Sequence, residues 1–286
     1  MSDNPRILFI VEGERLEFDI AKRIASVYQL KCEIASVRTN IHSLYRELKR
    51  EEGYLDIIAV LKSHFIKTIN QLESSAPSQG QNRQLRSAKD DLKKLDVKYA
   101  YRYLFFDCEI QHSKCRSTAD SGADIPRAQL IMENYHTLKK MVEYFDNETD
   151  QGKLFINYPM MESYRDCDDY FDENYKDRMV SLDNLFARKY KYLVGRRRLS
   201  NIRTNLITKQ QFDQLIRMNV FKLNSISTGK WGEMDYPEFQ RLARQQSILD
   251  VEQNLMTNQQ MLAVLNTLLY LPLDYFGQKI YKEIIQ

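Results

Sequence analysis

ILFIVEGERLE, residues 7–17, decides how the chain is read. Five apolar residues run without interruption into Glu12-Gly13-Glu14, and Glu17 follows three positions later. A short, continuous apolar run rich in β-branched residues and halted by glycine predicts a strand buried on both faces of a parallel sheet. The next stretch, LEFDIAKRIASVYQL, repeats Leu16, Ile20, Ile24 and Val27 at helical spacing, so strand and helix make a first unit.

Working outward, CEIASVRT (32–39) predicts a second strand, followed by helical patterns over 41–51 and 54–72. The polar SSAPSQGQNRQ (74–84) reads as a loop that opens an exposed insertion over about 74–98, including the charged, helical RSAKDDLKKL. YAYRYLFF (99–106) is an aromatic strand running into Asp107, IPRAQLIMENYHTLKKMVEYF (125–145) an amphipathic helix entered through Pro126, and KLFINYP (153–159) a fourth strand. This alternation predicts an α/β fold with a doubly wound, largely parallel sheet flanked by helices over residues 1–165. Residues 166–286, with segments such as KQQFDQLIRMNVFKL and NQQMLAVLNTLLYL, read as a mainly helical C-terminal region.

The 286 residues, 43% of them apolar, suffice for one large domain or two ordinary ones. MSDNPR carries no signal-type apolar segment and no stretch nears the roughly 18 apolar residues that span a bilayer, so the expectation is a soluble, cytoplasmic protein with no membrane partner. The four cysteines, Cys32, Cys108, Cys115 and Cys167, lack CxxC spacing, which argues against a disulfide framework and a zinc ribbon. His112 and Cys115 form an HxxC pair, but no second pair follows, and isolated thiols are expected.

Net charge is +3, from 42 basic and 39 acidic residues, and their distribution is more informative than their sum. No acid lies between Asp183 and Asp213, where Lys189, Lys191, Arg196, Arg197, Arg198 and Arg203 cluster with Tyr190 and Tyr192. These residues are candidates for contacting a phosphate backbone and stacking on bases; the competing reading is a solvated helix face, or a partner for the acidic run of Asp166, Asp168, Asp169, Asp172, Glu173 and Asp177.

Acids also gather where the predicted strands end. Glu12, Glu14 and Glu17 follow the first strand, Asp107 and Glu109 the third, and Glu162 the fourth. Open parallel sheets bind ligands at the carboxyl ends of their strands. Any one of these acids has a simpler use, as a turn cap or beside a helix N-terminus. If the chain stays extended, Asp107 and Glu109 project to one side and face one ion. With Glu12 they make an all-oxygen site suited to Mg2+ or Mn2+ and poorly suited to zinc.

VEGERLE (11–17), FFDCE (105–109) and NYPMMES (157–163) resemble the EG-x-x-x-E, D-x-D and n-P-x-x-E stations of the TOPRIM domain found in topoisomerases, primases and OLD-type nucleases, and most closely of the RloB-like TOPRIM proteins that accompany ABC-type ATPases in antiphage operons. The likeness covers about residues 5–165, and the chain departs from it in carrying Asp107-Cys108-Glu109 where the family has D-x-D.

The resemblance implies a metal-dependent endonuclease acting on DNA or RNA, including transfer RNA, as the toxic effector of an antiviral, abortive-infection system. Asp107 and Glu109 would ligate the ion, Glu12 would share it or act as general acid/base, and Glu17 and Glu162 are candidates for a second metal. The chain has no GxxxxGK[ST] pattern, so a nucleotide switch would come from an ABC/AAA-type ATPase partner; a homodimer is also expected. The alternative is a catalytically weak or inactive TOPRIM scaffold that serves as a binding subunit of an ATPase complex.

Overall fold

The computed structural model describes residues 6–50, 56–74, 79–112 and 126–286. Cys115, half of the HxxC pair, lies outside them.

The expected first unit is present as β1 (Ile7–Val11) and α1 (Leu16–Val27). All five β1 side chains are buried, each contributing about 1.5–3 kcal/mol of apolar transfer. β2 (Cys32–Ser36), α2 (Ile41–Arg50) and α3 (Ile57–Ser74) follow. The expected exposed insertion is corrected in part. Residues Gln79–Lys94 form a helix, α4, that packs along α3 and β2 and buries Ala88 and Asp91. Leu85, Ala88 and Leu92 pack on the core, and Arg38 and Lys94 pair with the buried Asp91.

β3 (Tyr101–Asp107), α5 (Arg127–Tyr144), the short β4 (Asp146–Asn147) and β5 (Gly152–Asn157) complete a five-stranded sheet of order β2-β1-β3-β5-β4. β1, β2, β3 and β5 run parallel, and β4 is an antiparallel hairpin arm on β5. β4 has only two residues, both exposed and polar, so no hydrophobic period announced it.

The C-terminal region is largely helical but includes a small second sheet. β6 (Met179–Ser181) pairs antiparallel with β7 (Met261–Ala263). Between them lie α6 (Leu182–Phe186), α7 (Tyr190–Gly195), α8 (Lys209–Thr228), α9 (Tyr236–Leu242) and α10 (Gln245–Gln259); α11 (Leu271–Phe276) and α12 (Gln278–Ile285) follow β7. The expectation of a helix over NQQMLAVLNTLLYL is therefore corrected. Gln260 takes a left-handed turn that stops α10, after which the run forms β7, a bridge at Leu265 and a 3-10 turn over Thr267–Tyr270. Leu262 to Leu273 are all buried, and a run buried on every side has no face whose period distinguishes helix from strand.

One hydrophobic core runs through the expected boundary near residue 165. Tyr158, just after β5, forms an antiparallel bridge with Leu265, and the Ile156 N–H donates to Gln245 Oε1 at 2.9 Å. On the opposite edge of the sheet, Lys94 Nζ donates to the Ile34 carbonyl of β2 at 2.7 Å. Among the described residues no helix is long and apolar enough to cross a membrane.

Candidate functional site

From β1 the chain crosses to β2 on one side, then returns to place β3 on the other side of β1. The crevice outside the carboxyl ends of β1 and β3 is thus the topological switch point, where open α/β sheets take ligands. Val11 is level with Phe105, so Glu12 and Asp107 leave neighbouring strands together, and the Asp107 N–H donates to Glu12 Oε2 at 3.2 Å. The Glu12 backbone is held as a continuation of the strand, because its carbonyl accepts from the Arg38 N–H at 2.9 Å. Gly13 leaves room for the Glu17 carboxylate, which lies where a Cβ at position 13 would stand. Glu17 itself sits in the first turn of α1, where the helix dipole favours a negative charge. Glu14 is used elsewhere, in an ion pair with Arg38.

Asp107 is buried, and its Oδ1 accepts from the Met161 N–H at 2.7 Å. Met161 opens a 3-10 turn, Met161–Arg165, that carries Glu162. The turn is tied to the C-terminal region through Asn266, whose Nδ2 donates to the Met161 carbonyl at 2.9 Å and to Ser163 Oγ at 3.1 Å. Asn157, at the end of β5, accepts from the Leu268 N–H at 3.2 Å. Glu162 is buried; Oε1 pairs with Lys191 Nζ of α7 at 2.8 Å, and Oε2 has no hydrogen-bond partner.

Glu109 arrives by a route the sequence did not suggest. β3 stops at Asp107, and Glu109 has φ of 41°, so the chain is already turning and strand alternation does not set Asp107 and Glu109 side by side. That expectation is corrected. Glu109 nevertheless acts electrostatically on Glu12, and its buried Oε2 accepts no hydrogen bond, with His112 Nδ1 3.6 Å away.

All five acids therefore gather round one crevice, and their protonation reflects it. Burial, then the charges of Glu109 and Glu17, push Glu12 up to about 8, against the opposing Asp107 N–H and Lys191. Burial, then Glu12, Glu162 and Glu17, raise Asp107 well above the ordinary carboxylate range. Burial also raises Glu17 and Glu109. Burial alone would lower Lys191, but the adjoining Glu162 carboxylate outweighs it and the ammonium is raised. Crowded acids in a desolvated crevice hold protons that a cation would displace.

The basic run does not form one surface. Lys191 is the counter-charge of the acid crevice. Arg197 binds Asp166 at 3.0 Å and Asp168 at 3.4 Å, while Arg178 lies 3.9 Å from Asp172, so part of the run partners the neighbouring acids. Lys189, Arg196, Arg198 and Arg203 are exposed. Tyr192 is 70% exposed, whereas Tyr190 is buried, which corrects its expected availability for base stacking.

Sequence reading missed Asn157 and Asn266, which position the Glu162 turn, and the place of Lys191 inside the site. Asn157 stood in the quoted NYPMMES station, but Asn266 lies in an apolar run more than a hundred residues away and gave no signal. The donors that face the crevice are hard carboxylate oxygens, two of them buried without a hydrogen bond. Among the described residues, no group of three or more His, Cys, Asp or Glu side chains is spaced to hold a metal ion. No protein-family model matches the chain, and neither does any curated protein or solved structure.

Proposed function

We propose that the chain is a metal-dependent nuclease of the TOPRIM type, hydrolysing phosphodiester bonds in DNA or RNA. The observation that carries the reading is the convergence of Glu12, Glu17, Asp107, Glu109 and Glu162 on the switch-point crevice, with two buried carboxylate oxygens that accept no hydrogen bond. Packing gains nothing from such an arrangement, since each buried, unpaired oxygen is a desolvation cost. The donor chemistry fits Mg2+ or Mn2+. Asp107 and Glu109 would hold the ion, Glu12 would either share it or act as general acid, and Glu17 and Glu162 are candidates for a second. Bound there, it supplies Lewis-acid polarisation of the scissile phosphate.

The residues themselves supply the remaining chemistry. In its general-acid role Glu12, pushed up to about 8, carries a proton at neutral pH and can deliver it to the leaving oxygen as a water oxygen bonds to phosphorus and the old P–O bond breaks. The Asp107 N–H fixes the Glu12 carboxyl in place, and the Met161 N–H does the same for Asp107. Lys191, 63% exposed at its side chain, sits at the rim with its ammonium on Glu162, where an entering phosphate meets a positive charge. The setting, a toxic antiphage effector governed by an ABC/AAA-type ATPase, rests on the resemblance of residues 5–165.

A second reading, an inactive scaffold serving as a binding subunit, is favoured by one observation. Lys191 already supplies a cation to the cluster, and no three acids among the described residues are grouped at ion-holding spacing. Incubation of the full chain with Mg2+ or Mn2+ and a panel of supercoiled, linear and single-stranded DNA, total RNA and transfer RNA separates the two. Metal-dependent cleavage that disappears in Asp107→Asn supports the nuclease. Absence of cleavage together with no calorimetric Mn2+ binding supports the scaffold.

A further inference from the structure

A cleft of about 740 Å³ opens between the outer face of α1 and the segment 200–205. Five cations line it, Arg15, Lys22, Arg23, Arg165 and Arg203, against one acid, Asp19. Arg15, Asp19, Lys22 and Arg23 recur at helical spacing, so a single face of α1 presents them. None of the five has a carboxylate of the described residues within ion-pair distance. Arg23 Nε donates to the Ile207 carbonyl at 2.8 Å, which fixes that guanidinium without neutralising it. In the basic run after Asp183 several cations are answered, Lys191 by Glu162, Arg197 by Asp166 and Lys209 by Asp213. The cleft is a concentration of positive charge that no carboxylate pairs, lined also by the Asn201 and Asn205 side chains, of the kind that hydrogen-bond phosphate oxygens.

Its position ties it to the acid crevice. Arg165 ends the same 3-10 turn on which Glu162 lies near the start, and it acts electrostatically on Glu17 at the beginning of α1. Acids thus lie on one side of the junction between α1 and this turn and unpaired cations on the other. A polyanion held in the cleft brings its next phosphate toward the crevice, and the acids, which repel it, need not bind it.

We propose that this cleft binds the phosphodiester backbone of a single nucleic-acid strand and feeds it to the acid crevice. The choice of a polynucleotide among polyanions rests on the nuclease reading; the existence of an anion-binding cleft does not.

The test is binding without cleavage. Fluorescence anisotropy follows a labelled 20-nucleotide single strand, as DNA and as RNA, titrated with the full chain in EDTA. Lys22→Glu combined with Arg203→Glu should weaken binding at least tenfold at about 0.1 M salt and flatten the dependence of log K on log salt by about 0.7 for each phosphate the variant no longer neutralises. The milder Lys22→Gln/Arg203→Gln pair should shift both quantities in the same direction, and circular dichroism checks that either variant is folded. Lys279→Glu/Lys282→Glu on α12 makes the same change in net charge and should leave affinity within about twofold.

Wild-type affinity in the glutamate pair, or an equal loss in the α12 pair, overturns the proposal. So does displacement of the strand by mononucleotide at matching phosphate concentration, which would mark a single-phosphate site. Failure of the nuclease reading looks different: the strand binds and the α1 variants weaken it, yet no metal restores cleavage.

Discussion

Replacing Glu12 by glutamine should make the protein more stable at neutral pH, although the residue is at the centre of the proposed site. Because Glu12 titrates at about 8 in the folded protein and 4.5 in the free side chain, the native state keeps a proton that the unfolded chain has released across that window. Stability therefore falls as pH rises from 4.5 to about 8, by up to 1.4 kcal/mol per unit. Between pH 5.5 and 7.5 the penalty from this one group grows by roughly 2–3 kcal/mol. Glutamine keeps the length and leaves an oxygen for the Asp107 N–H but cannot ionise. At pH 7.5 Glu12→Gln should unfold about 5 °C or more above the wild type, and the gap should close toward pH 5.

His42 works in the opposite direction. Burial and the neighbouring His112 lower it to about 4, so its neutral native form adds stability as pH rises from 4 to 6.5. The difference between wild type and variant cancels this contribution, so the comparison must be of paired melting curves, recorded by differential scanning fluorimetry in EDTA. A variant less stable than wild type at pH 7.5, or one whose melting temperature runs parallel to wild type across the range, refutes the account of the crevice. Added Mn2+ should raise the wild-type melting temperature and leave that of Glu12→Gln nearly unchanged.

Lys191→Met leaves Glu162 buried beside other acids and should lower stability at pH 8 by about 1 kcal/mol in urea unfolding. Asn266→Ala removes both donors that tie down the Glu162 turn; about 2 kcal/mol of stability and faster hydrogen exchange over 160–165 are expected by mass spectrometry. Lys222 is fully buried and donates to the carbonyls of Lys176 and Arg178 at 2.7 and 2.9 Å, so Lys222→Met should lower stability by about 2–4 kcal/mol in denaturant titration. A chain ending at residue 165 should show no cooperative melt, because the core and the Glu162 turn both depend on residues beyond it.

What the sequence disclosed followed from how strongly each segment constrained itself. ILFIV could only be an interior strand, and the acids after it, after β3 and after β5 marked the end of the sheet where chemistry would lie. Their convergence depended on strand order, which no local pattern encodes. Glu109 shows the limit: spacing suggested a shared face with Asp107, but a left-handed residue brought it in from a turn. The 74–98 region misled because its charged residues outnumber the sparse stripe of Leu85, Ala88, Leu92 and Leu95 through which it docks. In the run from Leu262 onward, uniform burial erased the period that distinguishes strand from helix. The basic run was visible, but which of its members were already paired depended on folding the acidic run 166–177 against it.

Both margins of the parallel sheet are stopped by side chains: Lys94 occupies a carbonyl on the β2 side and Gln245 an N–H on the β5 side. A lysine or glutamine set into a strand margin blocks the approach of another backbone. At Ile34 and Ile156 an incoming strand would meet a group that a side chain already holds.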